Sequence, residues 1–238
     1  MQEEDLSRLE MLLGEDGVNK LKAAHFAVVG LGGVGGYAVE AVARFGIGNI
    51  TLIDADIVDR SNLNRQLCAL NSTVGQNKVD VWASRIQDIN PDCNVISLKK
   101  FISEEDDFDA LFQDVDFTIE AIDTVSSKIA LISYLIKADK SFVSCMGAAL
   151  RQDPSKIKIA KFSQTSVCPL AAKIRKELRA RRIPLDFCCV YSEEKPKKMD
   201  FQGGDKNQIG KSPLGSSATI PAICGLFAAN EAVRQFLL

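Results

Sequence analysis

The sequence predicts an α/β fold: a Rossmann-like, doubly wound and mainly parallel sheet with a smaller C-terminal extension. Three observations carry this. Short apolar runs alternate with segments of helical spacing. Gly30-Leu31-Gly32-Gly33-Val34-Gly35 fits GxGxxG between an apolar run and a helical segment. Asp54 ends the next apolar run, where an acid can hold ribose hydroxyls.

The elements follow in order. HFAVVG, residues 25–30, reads as a strand, and VGGYAVEAVARFG as the helix after the glycine turn. NITLID, residues 49–54, is a second strand. Val79, Trp82, Ile86 and Ile89 have helical spacing, so a helix runs from Lys78 to Asn90 and stops before Pro91. CNVISL is a third strand, followed by an acidic helix over 103–113. DFTIEAID is a fourth strand, Ser126 to Ala138 a helix, and SFVSCMG a fifth strand. Strands alternating with helices require a parallel sheet covered on both faces.

After Gly147 the rhythm changes. SKIKIAKF alternates like an amphipathic strand, PLAAKIRKELRARRI reads as a helix and FCCVYS as another strand. Glu193 to Ser217 is polar and rich in Lys, Gly and Pro, which predicts a mobile loop, and a final helix starts near Ile220. Residues 1–150 are thus the nucleotide-binding core. Residues 151–238 extend the same structural unit.

Composition narrows the function. Of 238 residues 46% are hydrophobic, enough for a sizeable core. The start, MQEEDLSRLE, lacks the apolar segment of a signal peptide. The apolar stretch 218–238 carries Glu231, Arg234 and Gln235 and reads as a core helix, so no membrane contact is expected. The seven cysteines are odd in number and form no CxxC pair. That argues against a disulfide scaffold and a four-cysteine zinc site, and fits a reduced, cytoplasmic setting. His25 is the only histidine, which excludes His-based triads and multi-His metal sites. Charge is uneven. Residues 1–150 hold 13 Lys and Arg against 23 Asp and Glu, net −10; residues 151–211 hold 15 against 7, net +8. A basic segment on an acidic body is an electrostatic footprint for a polyanion.

The glycine loop and Asp54 suit NAD, FAD or ATP equally. A rival phosphate loop, GDKNQIGKS at 204–212, fails: its first glycine is one position early, no apolar strand precedes it, and Pro213 follows. The stretch LIDADIVDRSNLNRQL, residues 52–67, adds Arg65 in a polar tail beyond Asp54. Lys78 opens a helix and Asp123 ends the fourth strand, so in a doubly wound sheet Arg65, Lys78 and Asp123 can face one crevice. Two cations suit a triphosphate, and the acid suits a magnesium-bound one. Hydride transfer has no evident need for that set.

GLGGVG, LIDADIVDRSNLNRQ, VGQNKVD, INP and AID together resemble the ubiquitin-activating-type adenylating family, which includes ThiF, MoeB and HesA. The match covers about residues 5–150. The resemblance implies activation of a carboxylate as an acyl-adenylate, with ATP, magnesium and an additional monovalent cation. It implies that Gly30, Gly32 and Gly33 pack on ATP and that Asp54 binds ribose. Asn62, Arg65 and Lys78 would contact phosphates, and Asp123 would sit near the magnesium and the α-phosphate. Arg8, in LSRLEMLLGEDG, would reach across a homodimer into the partner's site. The reaction asks for charge neutralisation and alignment more than for a protein nucleophile.

The C-terminal half narrows the resemblance. ThiF and MoeB activate the Gly-Gly terminus of sulfur-carrier proteins and carry two CxxC pairs, which this chain lacks. SCMGAALRQDPSKIKIA, QTSVCPLAAKIRKELR and VYSEEKP instead resemble the tRNA threonylcarbamoyladenosine dehydratase branch. That implies a tRNA partner carrying threonylcarbamoyladenosine, its threonyl carboxylate as the activated group, and a cysteine desulfurase or sulfur-relay system as a further partner. Lys173, Arg175, Arg179 and Arg182 are the expected tRNA contacts, and Cys168 and Cys189 the candidate thiols.

Overall fold

In a computed structural model the described residues are 3–197 and 214–238. Helix α1 (Glu3–Ala23) bends at Gly14, whose φ of 75° is left-handed, a conformation glycine adopts without penalty. Strand β1 (His25–Val29) and helix α2 (Gly35–Arg44) flank the glycine turn. Then come β2 (Asn49–Ile53), α3 (Lys78–Ile89), β3 (Asn94–Leu98), α4 (Phe108–Phe112) and β4 (Phe117–Glu120). The chain continues with α5 (Val125–Lys137), β5 (Phe142–Cys145), β6 (Ile157–Lys161), α6 (Pro169–Ala180), β7 (Cys188–Ser192) and α7 (Thr219–Leu237).

Seven strands form one sheet in the order β3-β2-β1-β4-β5-β7-β6. All neighbours are parallel except β6, which runs antiparallel to β7 at the edge. The sheet therefore takes in strands from both sides of residue 150. Side chains of β1 alternate between two cores. Phe26 and Val28 face Trp82, Val42 and Ala228, while Ala27 and Val29 face Phe112, Leu131 and Ile174. Each large apolar side chain so buried contributes roughly 1.5–3 kcal/mol.

Two expectations need correction. The acidic helix is only the five residues of α4. Residues 103–107 are tied differently: Ser103 N–H donates to Asp106 Oδ2 at 2.9 Å, and Lys100 pairs with Asp106 at 2.7 Å. Asp107 then caps α4 by accepting from Ala110 N–H at 3.1 Å. Short acids prefer such caps to helix interiors. The fourth strand ends at Glu120, so Asp123 belongs to the turn into α5. The rival phosphate loop and most of the expected mobile segment fall at 198–213, outside the described residues. Among the described residues no helix is long and apolar enough to cross a membrane.

Candidate functional site

Strand order reverses at β1, with β2 on one side and β4 on the other. Such a switch point opens a crevice at the C-terminal strand ends. The glycine turn sits there. Gly30 has φ 88°, and a Cβ on it would lie 2.8 Å from the carbonyl oxygen of Ala121. A Cβ on Gly35 would lie 1.8 Å from the Gly30 carbonyl oxygen. Both glycines are therefore obligatory for the turn. No side chain caps α2, whose N-cap is Val34; apart from the Gly36 N–H, which the Gly32 carbonyl takes at 3.0 Å, its first donors suit an anion.

Asp54 is fastened to this turn. Its Oδ2 accepts from Leu31 N–H at 2.6 Å and its Oδ1 from Asp56 N–H at 2.8 Å. Burial pushes its carboxyl above the usual range, while the Lys78 ammonium and these bonds pull it back. Lys78, the first residue of α3, is buried, with Nζ 2.8 Å from Asp56 Oδ2 and 4.0 Å from Asp54 Oδ1.

The tail after Asp54 folds back over the glycines. Asp59 and Asn62 form a capping box around a short 3-10 turn, in which Asn62 Oδ1 accepts from Asp59 N–H at 3.1 Å. Asn62 thus serves the turn with its oxygen, and its amide N–H₂ sits 3.5 Å from Ser61 Oγ. Arg65 Nη1 donates to the Ser61 carbonyl at 2.7 Å and to Asn64 Oδ1 at 2.9 Å. A Cβ on Gly33 would lie 3.6 Å from Arg65 Cγ and 3.2 Å from Pro221 Cβ. Arg65 and the first turn of α7 therefore wall Gly33 from two sides, and the C-terminal extension closes the site.

Asp123 is exposed, and its Oδ1 accepts a long 3.4 Å bond from Thr124 Oγ1. Gly30, Gly32, Gly33, Asp54, Arg65 and Lys78 are gathered at the switch point, with Asp123 on the adjoining turn after β4. Arg8 is not among them. Leu6, two residues earlier, packs 3.0 Å from the Cβ position of Gly46, beyond the C-terminus of α2. That is the opposite end of the sheet, and Arg8 is exposed there. His25 also lies away from the crevice, its Nε2 2.8 Å from Thr51 Oγ1.

The sequence reading missed Gln66. Its side chain is buried, Nε2 is 3.9 Å from the Cβ position of Gly32, and among the described residues Oε1 has no partner. Its signal was contiguity with Arg65. Asp56, the holder of Lys78, was also missed, because an exposed acid two residues after a strand looks ordinary.

The expected tRNA contacts separate. Lys173, Arg179 and Arg182 are exposed. Arg175 is corrected: its guanidinium lies 5.4 Å from the centre of the Phe162 ring and donates to the Thr165 carbonyl at 2.7 Å and to Thr165 Oγ1. It faces inward because residues 162–165 close a 3-10 turn whose carbonyls need donors. Neighbouring Arg181 is taken by Glu104. The thiol expectation also needs correction. Cys168 is 4% and Cys189 0% exposed, and burial raises the Cys189 thiol far above its usual range.

Comparisons with known proteins show the family of the chain. The ThiF family model matches residues 6–237. The tRNA threonylcarbamoyladenosine dehydratase of Bacillus subtilis is 42% identical, over 97% of this chain and 94% of that protein. A crystal structure of the Escherichia coli tRNA N6-threonylcarbamoyladenosine dehydratase in complex with AMP superposes with a TM-score of 0.90 at 33% identity. It covers 99% of this chain and 94% of that one. The same E. coli protein has been solved with ATP, at a TM-score of 0.89. By contrast, the molybdopterin-synthase adenylyltransferase of E. coli is 34% identical over only 58% of this chain.

Proposed function

Since the chain belongs to the ThiF family, we propose that it is an ATP-dependent tRNA threonylcarbamoyladenosine dehydratase. One observation carries the substrate: the similarity to dehydratases runs through the C-terminal extension as well as the core. The runner-up, activation of a carrier protein's Gly-Gly terminus, is disfavoured by the shorter match of the adenylyltransferase and by the lack of CxxC pairs.

The chemistry follows from residue types. A threonyl carboxylate oxygen attacks the α-phosphorus of ATP, and pyrophosphate leaves. A nucleophile within the same modified nucleoside then closes on the acyl carbon and expels AMP, which carries off the carboxylate oxygen. The net change to the nucleoside is loss of water. In our reading Gly30, Gly32 and Gly33 let the nucleotide approach the backbone, and the start of α2 faces its phosphates. Asp54 takes the ribose. Asn62 offers its weakly held amide, and Arg65 and Lys78 offer cations, to the phosphates as charge shifts to the leaving pyrophosphate. Asp123, exposed and lightly bonded, has the hard oxygen donors that magnesium needs; the ion would neutralise phosphate charge.

Arg8 completes the site from a second copy, since it stands at the wrong end of the sheet for its own crevice. We therefore infer a working homodimer. Exposed Lys173, Lys176, Arg179 and Arg182 on and just after α6 present the tRNA-facing charge. Seven free cysteines suit the cytoplasm. Ring closure within the substrate requires neither an enzyme thiol nor a sulfur-relay partner.

The test is incubation with ATP and tRNA carrying threonylcarbamoyladenosine, followed by nucleoside mass spectrometry. Loss of one water with AMP release is the expected result. AMP formation only with a Gly-Gly carrier protein would replace this reading with the runner-up.

A further inference from the structure

A buried ion pair lies beneath the Asp123 turn, and the chemistry above leaves it unused. Glu120 ends β4, Lys128 lies in the first turns of α5, and both side chains are 0% exposed. Lys128 Nζ donates to Glu120 Oε2 at 2.5 Å, to the Cys145 carbonyl at 2.7 Å and to the Ile122 carbonyl at 3.2 Å. Its three protons thus meet three acceptors. Glu120 Oε2 also accepts from Ser144 Oγ at 2.5 Å, and Oε1 accepts from Ile122 N–H at 2.8 Å.

Ile122 is therefore gripped at both backbone groups, one by each member of the pair. It is the residue before Asp123. The same ammonium ties this turn to Cys145, the exit of β5. Stability alone does not call for such a pair, because well-packed apolar residues of similar volume commonly replace a buried ion pair without loss. An apolar couple cannot hold a backbone N–H and a backbone C=O in fixed directions. Among the described residues Asp123 makes only a long bond above, so its direction is set from below.

We propose that Glu120 and Lys128 are positioning residues that aim Asp123 at the α-phosphate and lock its turn to the exit of β5. This rests on the reading that Asp123 serves that phosphate by holding magnesium.

The test compares Asp123→Asn with the double variant Glu120→Leu/Lys128→Met in the full-length enzyme. Readouts are the melting temperature, and kcat and KM for ATP in AMP release with modified tRNA. The double variant should stay folded, melt lower than the parent because Ile122, Cys145 and Ser144 lose partners, and bind ATP with little change in KM. Its kcat should fall about 100-fold, the scale of a displacement of about 1 Å at a reacting centre. A folded double variant with parental kcat, beside an inactive Asp123→Asn, overturns the positioning proposal alone. Full activity in Asp123→Asn overturns it together with the reading beneath it. Should the double variant not fold, Glu120→Gln takes its place, since it keeps the side-chain shape and weakens the pair's hold on Ile122. A several-fold drop in kcat at constant KM supports the proposal, and an unchanged kcat overturns it.

Discussion

Lys78 Nζ lies 2.8 Å from Asp56 Oδ2 and 4.0 Å from Asp54 Oδ1, so a buried cation is shared by an exposed acid and a half-buried one. The arrangement stores a positive charge at the start of α3, where the helix dipole alone would disfavour it. Asp56 can yield the ammonium to phosphate oxygens without leaving itself buried.

Removing that charge should change both turnover and pH dependence. Burial raises the Asp54 carboxyl, and Lys78 opposes the rise. A raised acid holds its proton more tightly folded than unfolded, so stability falls as pH rises through the window above the ordinary carboxylate value. Lys78→Met should extend that window upward and move the acid limb of ATP affinity to higher pH. Calorimetric titrations with ATP across pH, with melts at each pH, check this. An acid limb in the same place would separate Lys78 from Asp54. Turnover should fall about 100-fold or more.

Arg65→Ala should remove ATP turnover and leave the fold. Its guanidinium is only half-buried and bonds within its own turn, so melting should shift by only a few degrees. Loss of one charged donor at a phosphate is worth about 10²–10³ in rate. Parental AMP release by this variant would refute the phosphate role.

Mixing Arg8→Ala with Asp123→Ala subunits tests the shared site. Each parent is expected to be inactive. A two-fold dimer mixed at random is half heterodimer, and each heterodimer has one complete site, giving about one quarter of wild-type activity. No recovery with subunit exchange confirmed by mass would overturn the reading that Arg8 acts across the dimer.

Exposed and half-buried arginines of α6 should part company. Neutralising Lys173, Arg179 and Arg182 together should weaken tRNA binding and reduce the salt slope by about three. Arg175→Ala should instead destabilise the fold by about 1–3 kcal/mol through its lost bonds to Thr165. Filter binding at several salt concentrations and thermal melts distinguish them. A triple variant with unchanged affinity would take α6 out of the interface.

Cys189→Ala should retain activity. The thiol is fully enclosed and its ionisation is suppressed by burial. Alkylation of native enzyme should spare Cys189 until unfolding. Loss of dehydration in a folded Cys189→Ala would restore a thiol role.

Much of the site was legible because its residues are local. Gly30 through Gly35 form one turn, Asp54 ends the next strand, and Asn62 through Gln66 follow within a dozen residues. Local spacing fixes where such groups sit on a strand or helix. The βα alternation determined the parallel sheet in the same way, since each crossover must cover a face. The resemblance of several short motifs turned an ambiguous nucleotide site into an adenylating one.

Tertiary structure decided what depends on distant packing. Arg175 and Arg179 are alike in the sequence, yet one lies on Phe162 and the other in solvent. No pattern marked Glu120 and Lys128 as partners beneath Asp123, because their meeting depends on how β4, α5 and β5 pack. The capping role of Asn62 and the end of the sheet at which Arg8 stands were likewise settled by three-dimensional neighbours. Sequence determined which groups are available and on which element. The direction each side chain takes is set by which partners fill its surroundings, and those come from remote parts of the chain.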